Sequence, residues 1–243
     1  MSAPARAHAE TETVAHPTSH PRPEHVPSLA EQYSDIASEL YAPRRVDIAL
    51  RALDLIIAGT ALLVLSPLLG LLALATLISS GRPVLYRGQR VGRAGRVFVM
   101  YKLRTLAPGA ETRLGPYYGE ELSRRTEEEV TMVGRAARLT HIDEVPQLFN
   151  VIRGEMSMVG PRPVRPAFFY RLCEEVPQYW QRLVVRPGVT GFAQTRITRE
   201  DSWEDKLIHD LEYIADRSIR LYLRVLGATI ARIVTLTLRG RDR

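Results

Sequence analysis

The chain has 243 residues, with 33 Lys+Arg against 27 Asp+Glu and a formal net charge of +6, and all but two of the basic residues are arginines. At 45% hydrophobic and 25% charged, its average excludes a collagen, a disulfide scaffold and a wholly disordered chain. The single cysteine, Cys173, permits no internal disulfide or cysteine-rich metal site and reads as a small buried hydrophobe. The average also conceals residues 55–81, which carry no charge and argue against an ordinary soluble enzyme.

Residues 1–43 hold six prolines and four of the six histidines, with few large apolar side chains. Such a segment cannot bury enough apolar surface to offset its ordering entropy, so a disordered tail is expected. It lacks the basic and apolar regions of a signal peptide. Its histidines, at 8, 16, 20 and 25, read as spacers rather than metal ligands.

Residues 44–81 form the apolar element. A helix over 55–78 would run about 36 Å, enough to span hydrocarbon. Pro67, preceded by Ser66, deletes one backbone hydrogen bond mid-run, so a kink is expected there. Both flanks are basic, with Arg44, Arg45 and Arg51 before and Arg82, Arg87, Arg90, Arg93 and Arg96 after. The positive-inside rule asks both flanks to stay cytoplasmic. A re-entrant helix that enters, breaks at Ser66-Pro67 and returns satisfies both, and a kinked single span is the alternative.

From 83 to 105, Val84-Leu85-Tyr86 and Val97-Phe98-Val99-Met100-Tyr101 flank Gly92-Arg93-Ala94-Gly95, the pattern of a β-hairpin. Residues 107–130 are polar and glycine- and proline-rich, a long loop with at most a short helix, of a length that often serves a site. A helix capped near Thr140, with Pro146 in its early turns, is expected to end near Gly154, its apolar stripe being Leu148, Val151 and Ile152. Helices are also expected over 164–173, about 179–183, and through Trp203, Leu207, Ile208, Leu211 and Ile214. Residues 219–238 are apolar on nearly all faces but interrupted by Arg220, Arg224 and Arg232. That segment reads either as a core helix or as a helix at an anionic membrane surface with snorkelling arginines.

The densest cluster of candidate site residues runs from Arg138 through His141, Asp143, Glu144 and Asn150 to Arg162. The adjacent carboxylates Asp143 and Glu144 form a hard-oxygen site suited to Mg²⁺, which brings its own waters and substrate phosphates. Arg138 and Arg162 can grip phosphate oxygens bidentately, and prolines on both sides stiffen the backbone of Arg162. Carboxylates, metal and arginines beside a membrane element point to phosphoryl transfer. A solvated acid pair at a helix end is the plainer reading of the two carboxylates taken alone.

The stretches Arg51-Ala-Leu-Asp54, Ser66-Pro67, Gly81-Arg-Pro83 and Gln89-Arg90-Val-Gly92 belong to a wider pattern. It continues with Phe98-Val-Met-Tyr101-Lys102-Leu-Arg104, Ile142-Asp143-Glu144-Val-Pro146-Gln147-Leu-Phe-Asn150 and Gly154-Glu-Met156-Ser157-Met-Val-Gly160-Pro161-Arg162-Pro163. It closes with Arg186-Pro187-Gly188-Val-Thr190-Gly191-Phe-Ala-Gln194, Trp203-Glu-Asp-Lys206, Asp210 and Tyr213. In order and spacing the chain resembles the bacterial sugar transferase family, the monotopic phosphoglycosyl transferases that begin glycan assembly.

The resemblance implies an α+β protein: a membrane-embedded re-entrant helix-break-helix over 44–81 and a small cytoplasmic α/β catalytic domain over 82–243 with interfacial, basic C-terminal helices. It implies transfer of a sugar-1-phosphate from a UDP-sugar to polyprenyl (undecaprenyl) phosphate with release of UMP, to initiate exopolysaccharide or cell-surface glycan assembly. Asp143 would be the nucleophile, Glu144 its support and with it a Mg²⁺ ligand, and Lys102, Arg104, Arg138, Gln147 and Arg162 the substrate-binding residues. Localisation would be monotopic, on the cytoplasmic face of a bacterial cytoplasmic membrane, with the membrane but no nucleic acid as partner. A homodimer and glycan-assembly enzymes are the candidate protein partners. The chain departs from the family pattern at His141, where Ser or Thr is usual, at Glu155, at Glu127-Glu128-Glu129, and at Arg196-Ile197-Thr198 near the expected nucleotide or sugar contact. His141 reads as packed or solvated rather than as a phosphate ligand. These departures leave open both the sugar and a second reading, a non-catalytic membrane scaffold.

Overall fold

A computed structural model describes residues 43–115, 117, 119–197 and 201–239. Residues 1–42 of the expected tail, and Thr198, lie outside the described residues. The chain opens with helix α1 (Arg45–Ser80), followed by strands β1 (Leu85–Val91) and β2 (Val97–Leu103). Helices α2 (Ala110–Leu114), α3 (Gly119–Glu128) and α4 (Met132–Leu139) lead to a 3-10 turn, Ile142–Glu144, and helix α5 (Gln147–Arg153). Strand β3 (Ser157–Val159), helix α6 (Pro166–Glu175), a 3-10 segment (Pro177–Val184) and strand β4 (Gly188–Thr190) follow. Helices α7 (Phe192–Arg196), α8 (Trp203–Asp216) and α9 (Ile219–Arg239) close the chain. The architecture is helix-dominant α+β.

Helix α1 is long and apolar enough to cross a membrane, and its two halves differ. Leu50, Asp54 and Ala58 are buried in the domain, whereas Leu63, Val64, Leu68, Leu71, Leu74 and Ile78 are exposed. Each such side chain gains about 1.5–3 kcal/mol on leaving water, so this half calls for an apolar surrounding, which is membrane association. The helix runs through Pro67 without interruption, so the expected break is not a break in helical structure. Proline supplies no N–H to the carbonyl of Leu63 one turn back. The Ser66 hydroxyl donates to that carbonyl at 2.8 Å, replacing the missing bond.

Strands β1 and β2 form the expected antiparallel hairpin, in register from Leu85 opposite Leu103 to Val91 opposite Val97. The parallel pairing of β3 with β4 was not expected. It brings two backbones so close that a Cβ on Gly188 would lie 2.1 Å from the Gly160 amide nitrogen, so the crossing requires glycine.

The core has three centres. Ala58 packs with Phe98, Met100, Val145, Leu148, Val151 and Met156 beneath the hairpin. Leu50 joins Val159, Phe192, Tyr213, Tyr222 and Val225, so α1 is built into the domain it precedes. Phe169, Leu172, Tyr179, Leu183 and Leu207 form the third centre. Helix α9 is in part a core helix, as the first reading of its sequence has it. Tyr222 and Val225 are buried in the core, while Ile219, Leu223, Ile230 and Val234 lie exposed on other faces.

Asp54, nearly inaccessible, anchors α1. One of its oxygens accepts from the Ser157 hydroxyl at 2.9 Å, the Met158 amide at 2.8 Å and the Tyr222 hydroxyl at 2.8 Å. Arg51, one turn earlier, donates to the carbonyls of Val151 and Ile152 at the end of α5, where a cation complements the helix dipole.

Candidate active site

The region expected to be one helix from Thr140 to Gly154 is two elements. Thr140 closes α4, and His141 takes the left-handed conformation with φ of 56°, one that His adopts more readily than most residues. The turn this creates folds Ile142–Glu144 into a separate 3-10 turn before α5 begins at Gln147. Gly154, as expected, ends α5. The carboxylates of Asp143 and Glu144 thus sit on a tight turn between two helices.

Asn150 fixes that turn against the hairpin. Completely buried, it donates to the Val99 carbonyl at 2.7 Å and accepts from the Tyr101 amide at 3.2 Å, taking up the free edge of β2. It also donates to Glu155 at 2.6 Å. With α5 pinned there, Lys102 of β2 meets Glu144, Nζ to Oε1, at 2.5 Å. Arg138 comes in from α4, its Nε donating to the Thr105 hydroxyl at 2.9 Å while a terminal nitrogen stands 3.8 Å from Glu127. Gly134 makes that approach possible, since a Cβ there would lie 2.1 Å from the Thr105 carbonyl oxygen.

The two carboxylates differ in state. Asp143 is only 8% exposed and has no ion-pair or hydrogen-bond partner among the described residues. Burial first, then repulsion from Glu144, push its carboxyl up to about 6, against the opposing pull of Lys102, Arg138 and His141. Burial also acts to raise Glu144, but the charges of Lys102 and Arg162 and the Lys102 hydrogen bond outweigh it and hold that carboxyl below its usual range. Glu144 is therefore a fixed anion beside a carboxyl that ionises near neutrality. The environment divides the pair into a held partner and a reactive one.

Lys102, Arg138, Arg162, Asp143 and Glu144 gather at this turn. Gln147 is buried at the first turn of α5, and His141 is solvent-exposed. One terminal nitrogen of Arg104 donates to the carbonyls of Ser80 and Gly81, both at 2.8 Å, at the C-terminal end of α1, while its Nε and Nη1 are buried with no partner among the described residues. That contact ties the hairpin to α1. The roles of Asn150 and Thr105 were not anticipated. A fully amphipathic stripe interrupted by one amide, as at Leu148-Phe149-Asn150-Val151, is the signal for the first. Nothing local marks the second.

The two carboxylates suit Mg²⁺, which tolerates a small protein ligand set and keeps waters and substrate phosphate for the rest. A cation there also offsets the repulsion that raises Asp143. Among the described residues, no group of three or more His, Cys, Asp or Glu side chains is placed to hold a metal.

Residues 45–236 match the bacterial sugar transferase family. The chain belongs to that family. Among its curated relatives, the undecaprenyl-phosphate glucose phosphotransferase of Komagataeibacter xylinus is 41% identical over 75% of this chain and 35% of its own length. The UDP-glucose:undecaprenyl-phosphate glucose-1-phosphate transferase of Caulobacter vibrioides is 36% identical over 78% of this chain and 71% of its own. The UDP-N-acetylgalactosamine-undecaprenyl-phosphate N-acetylgalactosaminephosphotransferase of Aeromonas hydrophila is 35% identical over 76% of this chain and 43% of its own. The chain thus spans less than half the length of two of these relatives. The names of these three relatives share undecaprenyl phosphate and differ in the sugar.

Proposed function

We propose that this protein transfers a sugar-1-phosphate from a UDP-sugar to undecaprenyl phosphate, releasing UMP and so beginning the assembly of an exopolysaccharide or cell-surface glycan. The observation that carries this reading is Asp143: a buried carboxylate, unpaired among the described residues, near the charges of Lys102 and Arg138, beside Glu144, on which Lys102 and Arg162 act. Relatives named for the same transfer to undecaprenyl phosphate support it.

In the first step an oxygen of ionised Asp143 attacks the sugar-proximal phosphorus of the donor. The new P–O bond forms as the bond to the UMP oxygen breaks, and UMP departs with that electron pair. The product is a phosphosugar carried on Asp143. In the second step a phosphate oxygen of the lipid attacks the same phosphorus, the bond to Asp143 breaks, and the carboxylate is restored. Two displacements with a carboxylate nucleophile are covalent catalysis. Arg138 and Arg162 offset charge on the diphosphate, and Lys102 keeps Glu144 ionised and oriented. Mg²⁺, held by Asp143 and Glu144, would supply further charge neutralisation on the phosphates.

The membrane half of α1 would be re-entrant, with both basic flanks at the cytoplasmic face. Cysteines placed near residues 30 and 100 then label from the cytoplasmic side only, and labelling from opposite sides refutes this topology. The chemistry is tested by UMP release from a UDP-sugar panel with polyprenyl phosphate and Mg²⁺. Release is expected to need both substrates and to vanish in Asp143→Asn. Turnover of that variant at the wild-type rate removes the covalent mechanism.

A further inference from the structure

Arg162 stands between Pro161 and Pro163, neither of which has a backbone N–H. The loop therefore depends on its carbonyls for attachment. The Pro161 carbonyl accepts from the Gly188 amide at 2.9 Å, and the Val164 carbonyl accepts from the Val91 amide at 2.9 Å. Between these two backbone mounts the Arg162 carbonyl accepts from a side chain, Nη2 of Arg182, at 2.9 Å.

Arg182 is 5% exposed and is itself held in place. The same Nη2 lies 2.8 Å from Oδ2 of Asp210, which is 3% exposed, and Nη1 donates to the Tyr179 hydroxyl. Its guanidinium carbon also lies 4.7 Å from the centre of the Tyr179 ring. Stability alone is a poor reason for this pair. Desolvating two charges costs several kcal/mol each, and well-packed apolar side chains of similar volume often serve a fold as well or better. What apolar side chains cannot supply is an N–H aimed at the Arg162 carbonyl.

We infer that the buried Arg182–Asp210 pair is a positioning device that sets where the Arg162 guanidinium meets the phosphates of the nucleotide sugar. The inference rests on the proposed transferase function. Neither Arg182 nor Asp210 touches substrate; both act through the loop that carries Arg162.

The test uses the full-length protein in lipid nanodiscs and compares wild type, Arg162→Ala, Arg182→Met/Asp210→Leu, and the triple variant combining all three changes. The paired apolar replacement removes both charges together, so it avoids stranding a buried ion. Thermal unfolding establishes that it is folded. If it is not, Arg182→Lys replaces it, keeping a cation for Asp210 while giving up the guanidinium fork. Initial rates of UMP release are measured with Mg²⁺, polyprenyl phosphate, and UDP-glucose or UDP-N-acetylgalactosamine. The folded variant is expected to lose about ten- to hundredfold in kcat/KM for the nucleotide sugar, the range a hydrogen bond to a charged group supplies. Its KM for polyprenyl phosphate should stay unchanged, which a general loss of structure would not produce. Adding Arg162→Ala should cost less than about a further twofold, because the two changes remove one function. Wild-type kinetics in the paired variant, or full multiplication of the losses in the triple variant, overturns the inference alone. A wild-type protein that releases no UMP from these or any other donor of the UDP-sugar panel overturns the proposed function and this inference with it.

Discussion

Replacing Asp143 should make the metal-free protein more stable. Asp143 ionises near 6 in the folded protein, against an ordinary value of 3.8, because burial and Glu144 both oppose its charge. Between these two values the folded state holds a proton that the unfolded state has lost, so stability falls as pH rises from about 4 to about 6 and then levels off. A shift of about two units corresponds to about 3 kcal/mol. Asn has nearly the shape of protonated Asp and never ionises, so Asp143→Asn escapes this cost. The variant should match wild type below about pH 4 and exceed it by about 3 kcal/mol above pH 7, or about 6–12 °C in Tm for a chain of this size. The assay is thermal unfolding in nanodiscs with a chelator present, from pH 4 to 8. A gain that does not depend on pH, or no gain at pH 7.5, refutes the reasoning. Added Mg²⁺ should narrow the gap, since a cation stabilises the ionised wild-type site and has less to bind in the variant.

Lys102→Met removes the 2.5 Å contact that holds Glu144 ionised; UMP release should fall by about ten- to hundredfold, and the pH at which activity appears should move upward in rate profiles. Asn150→Leu leaves the Tyr101 N–H and Val99 carbonyl of β2 without their side-chain partner. A loss of about 2–4 kcal/mol is expected by denaturant or thermal unfolding, together with reduced turnover. Asp54→Leu orphans three donors that meet on one oxygen and should lower Tm sharply. Asp54→Asn keeps a carbonyl oxygen in that place and should fold, so equal damage from the two would contradict the hydrogen-bond account.

Much of this structure is legible in the residues because it is local. The hairpin is written in the apolar runs at 84–86 and 97–101 and the glycines between them, and the membrane helix in 27 uncharged positions. Helix α4 was missed because its eight residues lie against a charged run and have little room for periodicity. The pairing of β3 with β4 was missed because three-residue strands have no alternation to read. The chemistry at Asp143 and Glu144 is visible in sequence, but their division into reactive and held acids is not. That division comes from the burial of Asp143 and from Lys102, forty-two positions before Glu144, which with Arg162 holds Glu144 down. Arg104 shows the same limit from the other side. It stands two residues from Lys102 in a basic motif, yet its guanidinium caps α1, a destination that only the packing of hairpin against helix decides.

The way α1 divides also bears on modularity. Many membrane enzymes treat the anchor as an interchangeable cassette joined to a soluble domain by a linker. Here Leu50 and Ala58 are core residues, and Asp54 and Arg51 hold β3, α5 and α9 together. The first turns of α1 are thus part of the body that carries Asp143 and Glu144. A chimera that exchanges this helix from residue 45 onward would remove part of the core, whereas one joined beyond residue 69 would keep Ala58, Ala61, Leu62, Leu65 and Leu69 in place against it. The turn that carries Asp143 and the exposed second half of α1 are accordingly joined by rigid packing along a single helix.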